Sequence, residues 1–492
     1  MPLQILPIAA LLASTFFLMA GAGLMGILLP VRGSIEGWSS YQIGAFGTSY
    51  AIAFTVGCFV MPVIVRSAGH VRTFASLAAL LAISVLLSGV LIDPLAWIVF
   101  RAMAGFALAG TYMVVESWLN ERVTNESRGK IFSIYMVVTM AAMMGGQYVM
   151  PLSRPELTIP FMLCAILFAL AVIPTALSRA ASPKPLTSVK IDVGLIFRNS
   201  PVAAVGVLLA GIMSGGWNNM APVFGQKIGL STTEIATLVV VAMAGGIVFQ
   251  VPLGRFSDRM DRRYVMTAAG LIGFIAAVLG VYVDVMPWGA TMYFVVAFIL
   301  GGIVYPSYSL AVAHANDYAA DEDFVKISSG LLILYGVGTM IGPIYAAFLM
   351  ESFGPEGMFQ AVGTSAIAYA AYSYYRTYRR EALPVDERAD FQTVPLARTQ
   401  TPTSFTLDPR AEASITAEEE LAASDEAEAA EAMASAEAEA EAEAEAEAAQ
   451  ASADAETAAE AKAEADRTDR DAAAAARPVQ PVTPPDDKAG GI

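Results

Sequence analysis

The chain has 492 residues, 56% hydrophobic and 15% charged, with a mean hydropathy of +0.57. Soluble domains run at about 45–50% apolar residues, so a water-soluble globule is excluded as the first reading. The net charge of −16 is local: 28 of the 45 acidic residues but only 8 of the 29 basic ones lie beyond Arg380, so the body is slightly basic and the tail carries the acidity.

A hydrocarbon core about 30 Å thick needs roughly 20 apolar helical residues. Twelve runs meet this length between charges, prolines or polar clusters: 5–30, 41–65, 71–92, 95–116, 131–152, 158–177, 201–223, 233–253, 264–283, 289–314, 324–350 and 357–375. The expected fold class is an all-α membrane protein with twelve transmembrane helices. Two six-helix halves, 1–177 and 200–380, are joined by a polar loop, 178–199, and followed by a tail, 381–492. Equal halves predict a duplicated architecture with a cavity between them. The first run is preceded by no Lys or Arg and is longer than a signal-peptide core, so it reads as a retained span. Cys58 and Cys164 lie inside apolar runs and make no disulfide framework.

Cations set the expected orientation. With a cytoplasmic N-terminus, the short loops on that side hold Arg66, Arg72, Arg122, Arg128, Lys130, Arg179, Lys184, Lys190, Arg198, Arg255, Arg259, Arg262, Arg263 and Lys326, against Arg32, Arg154 and Lys227 opposite. By the positive-inside rule both termini are cytoplasmic and the chain is a multi-pass protein of the cell membrane.

In chain order, the loop after the second run holds Arg66, Gly69 and Arg72, expected as the first half's part of a cytoplasmic latch. The fourth run places Arg101 about 9 Å inside the membrane at 1.5 Å per residue, where a cation snorkels or finds a partner. Glu116 lies roughly 22 Å further on and within about 60° of the same face. It is the deepest acid in any run, and reads either as a carboxyl that takes and releases protons or as a gate contact to Arg66 or Arg72. Gln147, Trp217, Asn218, Asn219, Gln250, Tyr305, Tyr308 and Tyr335 are the polar and aromatic candidates for a substrate cavity. Uncharged amides and aromatics in an apolar lining suit a neutral or amphipathic small molecule, since a charged one usually meets a fixed counter-charge. Gly336, Gly338 and Gly342-Pro343 form a small-residue stripe suited to close packing.

The loop after the eighth run reads Gly254-Arg-Phe-Ser-Asp258-Arg259-Met-Asp261-Arg262-Arg263. There Gly254 allows close helix approach, Asp258 suits the positive end of a neighbouring helix, and Arg262 bridges a carboxylate, a set that would latch the cytoplasmic side closed. His314, beside Asp317, reads as a partner of this latch. The segment resembles the major facilitator superfamily signature G-x-x-x-D-R-x-G-R-R, with Asp261 in place of a Gly. Arg101-Ala-Met-Ala-Gly105 is similar to the family's Arg-x-x-x-Gly motif, and Arg66 to Arg72 with Val114-Val-Glu116 resemble the YcaD-type subgroup. The resemblance covers residues 1–380 and implies an MFS-like fold and secondary transport.

The tail is Pro-, Thr- and Ala-rich and then Ala/Glu-rich, with almost no aromatics, so it buries no core and reads as disordered. No partner for it is specified. The chain lacks a nucleotide-binding loop G-x-x-x-x-G-K-[ST] and an H-E-x-x-H helix, so ATP is not the direct driver and an enzyme is disfavoured. The expected function is alternating-access transport of a small molecule, coupled or not to protons, in a lipid bilayer, with no cofactor, metal or nucleic acid. The competing class is a non-transporting sensor that signals through its acidic tail.

Overall fold

The structure is a computed structural model that describes residues 2–122, 125–177, 193–283, 289, 291–320, 323–384, 388, 391, 401, 440, 443–444 and 446–473. The polar loop up to residue 192, with Arg179, Lys184 and Lys190, and the side chains of Arg122 and Arg128 lie outside the described residues. The chain forms two compact units, Met1–Thr416 and Ala417–Ile492.

In the first unit the apolar runs fold as α1 (Pro2–Ile35), α2 (Ser40–Ala68), α3 (His70–Val90), α4 (Pro94–Arg122), α5 (Asn125–Gln147) and α6 (Ile159–Leu177). A short helix in the inter-half connection, α7 (Val193–Asn199), precedes α8 (Pro201–Lys227), α9 (Thr232–Arg259), α10 (Arg262–Val281), α11 (Thr291–Asn316), α12 (Phe324–Phe353) and α13 (Gly357–Thr377). Eleven of these are long and apolar enough to cross a membrane. The twelfth by position, α13, has 21 residues, but Gln360, Thr364, Ser365 and Ser373 lower its hydropathy.

The two sets of six repeat one packing scheme. In the first half α1 packs on α5, α2 on α4 and α3 on α6; in the second, α8 packs on α12, α9 on α11 and α10 on α13. The halves meet mainly along α2 and α12, and along α1 and α8. Lipid tails supply no hydrophobic drive between helices, so close backbone approach matters, and small residues permit it. A Cβ on Gly146 of α5 would overlap the Ala20 carbonyl oxygen of α1, and one on Gly338 or Gly342 of α12 would overlap the Leu208 or Ile212 carbonyl of α8. Gly338 and Gly342 of the stripe thus pack α12 on α8, while Gly336 faces the cavity between the halves.

Helix starts repeat as well. Ser39 and Gln42 form a reciprocal capping box on α2, and Ser231 and Glu234 form the same box on α9. Each box follows a glycine at positive φ, Gly37 at 77° and Gly229 at 82°. An Asn or Asp tolerates that backbone poorly and other residues worse, so the two helices enter their halves by the same turn. Among the described residues of the second unit, 446–473 are helical and exposed throughout. Ala propensity prevails there over like-charge Glu pairs, so this stretch is a solvated helix where the composition predicts unordered chain.

Candidate functional site

Between the halves lies a cavity of about 150 Å³, lined from α1, α2, α4, α5, α8, α9 and α12. On this measure a water needs roughly 10–15 Å³, so the space takes a small organic molecule. Of the eight expected cavity residues, Gln147, Asn218, Asn219 and Tyr335 line it. Tyr305 stands behind, its hydroxyl donating to Asn218 Oδ1 at 2.9 Å. Tyr308 packs edge-on against Tyr335 with ring centroids 5.0 Å apart. Trp217 is fully buried against Phe359, and Gln250 is buried off the lining. These four departures share a reason: helical periodicity assigns a polar residue to a face, but the rotation of each helix in the bundle decides whether that face meets the cavity or a neighbour.

The polar wall is a chain of hydrogen bonds. Tyr335 donates to Ser214 Oγ at 2.8 Å, and Asn218 Nδ2 donates to the same hydroxyl at 3.0 Å and to the Ser214 carbonyl at 2.8 Å. The chain orients the Asn218 amide toward Tyr305. Buried networks of this kind hold their members in one geometry.

Arg101 also lines the cavity, with only 6% of its surface exposed. It does not snorkel. Its guanidinium lies over the ring of Tyr50, 4.6 Å from the centroid. Gly105, one turn further along α4, explains the contact: its missing Cβ lets α4 press against the Tyr50 backbone of α2, which fixes the ring beneath the cation. Sequence reasoning missed Tyr50, Tyr112, Thr55, Ser214 and Thr339 on the lining; their hydroxyls are too common in apolar helices to stand out.

Glu116 lies off the lining and is 1% exposed. Tyr135 donates to its Oε1 at 3.3 Å and Thr401 to its Oε2 at 2.5 Å. The gate contact expected with Arg66 or Arg72 is not formed: both cations are exposed and make no ion pair among the described residues. They act as surface anchors. Gly69 between them adopts φ 81° and returns its N–H to the Val65 carbonyl at 2.8 Å, which turns α2 into α3.

The latch residues come together: Arg262 bridges a carboxylate, whereas Gly254, Asp258 and His314 meet other partners than expected. Arg262 is 1% exposed and grips Asp317 by two bonds, Nε to Oδ2 at 2.7 Å and Nη2 to Oδ1 at 3.0 Å. It also donates to Ser257 at 2.9 Å and to Asp258 at 3.2 Å. Asp258 receives no helix N-terminus; it accepts from Arg262 and from the backbone N–H of Phe391 at 2.9 Å. Gly254, expected to admit a helix, admits the Phe391 ring instead, which a Cβ there would overlap. Arg388 donates to the Met260 carbonyl at 2.7 Å, so the residues just past the last helix are fastened to this loop.

Asp261 fills the family's glycine position by capping α10, accepting from the Arg263 backbone at 3.0 Å and pairing with its guanidinium at 2.7 Å. Burial pushes this carboxyl up, but the Arg263 hydrogen bonds and charge outweigh it and hold the carboxyl below the ordinary carboxylate range. Its contribution to stability is therefore complete above that range and is lost only as pH falls through the depressed value. Arg263 reaches on to the Arg376 and Arg380 carbonyls at 2.9 and 2.6 Å, closing the end of α13. Arg259 is exposed. His314 joins Ser200 at the start of α8, Nδ1 to Oγ at 2.8 Å, and not the latch carboxylates. These contacts tie α8, α9, α10, α11 and α13 together inside the second half, so the cluster braces that half.

At the opposite end the halves are bridged. The Ser40 backbone donates to Glu351 Oε1 at 2.5 Å, and Lys227 Nζ donates to Ser40 Oγ at 2.8 Å. Thr48 donates to the Met340 carbonyl at 2.7 Å below them.

A sequence profile described as the Major Facilitator Superfamily matches residues 11–315 and 203–416. Proteins named uncharacterized MFS-type transporter YcaD, from Escherichia coli O17:K52:H18 and from Shigella flexneri, are each 24% identical over 365 residues, 74% of this chain and 94% of theirs. The crystal structure of the nucleoside transporter NupG superposes with a TM-score of 0.61 at 16% identity, over 77% of this chain and 98% of that one. A bacterial homolog of the human lysosomal transporter Spinster, inward-facing and occupied, gives 0.63 at 14% identity, over 79% and 99%. With the profile spanning most of the chain and both six-helix halves, this protein belongs to the major facilitator superfamily.

Proposed function

We propose that the protein moves a small molecule across the membrane by alternating access of the central cavity, with its cation-rich loops and both termini in the cytoplasm. The observation that carries this reading is a polar-walled cavity between two like halves, bridged at one end by Ser40, Lys227 and Glu351. Transmembrane transport is the business of the family; the cargo of NupG, a nucleoside, carries no weight for this chain at 16% identity. With the cation-rich side inward, the bridge is an outer closure.

The outer closure has a native reporter, because Cys58 lines the cavity and Cys164 is buried away from it. In right-side-out vesicles Cys58 is expected to be protected from a membrane-impermeant maleimide. Glu351→Ala removes a charge-assisted bond worth about 1.5–3 kcal/mol and is expected to raise the Cys58 labelling rate about tenfold or more. An unchanged rate rejects the closure.

Glu116 fits a fastening role better than a proton-carrying one, since it lies off the cavity and is held by Tyr135 and Thr401. The test is flux in proteoliposomes with an imposed pH gradient, on the wild-type chain and Glu116→Gln. Uphill flux is expected to survive in the variant; loss of uphill flux with exchange spared would return the proton role to Glu116. The sensor reading draws on the contacts of Arg388, Phe391 and Thr401 with the body. A chain ending at Arg380 that retains flux in the same assay rejects it.

A further inference from the structure

Among the described residues, the Arg101 guanidinium is the only Lys, Arg, Asp or Glu side chain on the cavity lining. It is buried, 6% exposed, and among the described residues it makes no hydrogen bond and no ion pair. Its single specific contact is the face of Tyr50. That contact satisfies the cation through its flat face, whereas the five N–H donors of a guanidinium point outward in its plane. A buried charge with unused donors is costly unless a partner completes it. The fork of donors matches a carboxylate or phosphate in geometry and charge.

Resting on the transport reading above, we propose that the cargo is a small organic monoanion whose carboxylate seats on Arg101. The neutral cargo expected from the sequence followed from a lining without charge; the same premise, applied to a lining that contains Arg101, gives the opposite sign. One cation without a second beside it suits a monoanion over a phosphate dianion. A second observation marks where the rest of the molecule goes. Gln147 is 3% exposed on the lining, and its Oε1 is a buried acceptor that receives no hydrogen bond from the described residues. It takes an N–H or O–H from the cargo. Phe54, Met143 and Leu332 on the same lining give the apolar body its surface. Position is built in from two helices: α4 carries Arg101 about two turns in from Pro94, and the close α4–α2 crossing at Gly105 sets Tyr50 under it.

The test is ligand-induced thermal stabilisation of the purified full chain in detergent, followed by counterflow in proteoliposomes. The probes are benzoate, indole-3-acetate, 4-hydroxybenzoate and hexanoate, each compared with its uncharged amide and with a matched amine. One or more of the acids is expected to raise the unfolding midpoint of the wild-type protein, while its amide and amine bind roughly tenfold or more weakly, the equivalent of losing a charge-assisted bond. Arg101→Gln is expected to abolish the preference for acid over amide, and Arg101→Lys to retain it in weakened form. Equal response to acids and amides, preference for amines, no response to any acid, or full acid preference in Arg101→Gln would each overturn the proposal. The wild-type comparison of acid with amide decides the matter even where a variant fails to fold. Acid binding without counterflow would sink the transport reading and leave the anion site standing; counterflow of neutral compounds alone would do the reverse.

Discussion

Replacing Asp317 by Ala is expected to lower the thermal unfolding midpoint of the purified protein by about 3–6 °C, a loss of about 3–5 kcal/mol. The cause is the partner left behind. Arg262 is 1% exposed and spends two of its bonds on Asp317, whose side chain is 4% exposed. With the carboxylate gone, a buried guanidinium loses its two-bond charged partner and is left beside Ser257 and the more distant Asp258. Asp258→Ala is a far milder change, because that side chain is 34% exposed and its bond to Arg262 is 3.2 Å; exposed pairs are worth about 0–1 kcal/mol. The double substitution Arg262→Met with Asp317→Leu is expected to recover most of the stability lost by Asp317→Ala, since exchanging a whole buried pair for apolar groups is often neutral or better. Scanning fluorimetry in detergent reads all three, and a midpoint for Asp317→Ala within a degree or two of wild type would show that the pair is not the brace described here.

The second large effect separates two adjacent glycines. A Cβ on Gly146 would overlap the backbone carbonyl of Ala20, which cannot rotate aside, whereas a Cβ on Gly145 has no atom within 4 Å. Gly146→Ala is therefore expected to push α5 off α1 and abolish monodisperse protein in fluorescence-detected gel filtration, a cost of about 1–3 kcal/mol or more where the backbone itself must move. Gly145→Ala is expected to be neutral or to stabilise by up to about 1 kcal/mol through helix propensity. Equal yields for the two variants would mean that α1 and α5 do not cross where the structure places them.

The distribution of legible and illegible features has a physical pattern. Span positions follow from hydropathy because a membrane helix must be apolar over its whole length; only α13, rich in Ser and Thr, falls below that signal. The loop after α9 was legible as a cluster, since four Arg and two Asp within ten residues cannot all be idle. Its pairings were legible only in part: Asp317, 55 residues beyond Arg262, was read with the latch, but the two-bond grip between them and the contact of Phe391 with Asp258 were not. The depth of Arg101 could be read from residue spacing, but its turn toward the cavity depends on Gly105 and Tyr50 together. Phe391 and Thr401 lie in a stretch whose composition predicts no contacts at all, yet they reach Gly254 and Glu116. One signal was present and passed over. The paired boxes Ser39-x-x-Gln42 and Ser231-x-x-Glu234, each two residues after a glycine, mark the duplication directly in the sequence.

On the anion-site proposal, a lining whose described residues hold one permanent cation and no carboxylate also sets how the electric field would act on the carrier. The empty site has a charge of +1, and a monovalent anion cancels it. A membrane potential is worth about 2.3 kcal/mol per elementary charge per 100 mV, and it acts on whichever step carries uncompensated charge through the field. That step is the return of the empty site. Exchange of one cargo molecule for another, in which the site is never empty as it crosses, is then indifferent to voltage, while net movement is not.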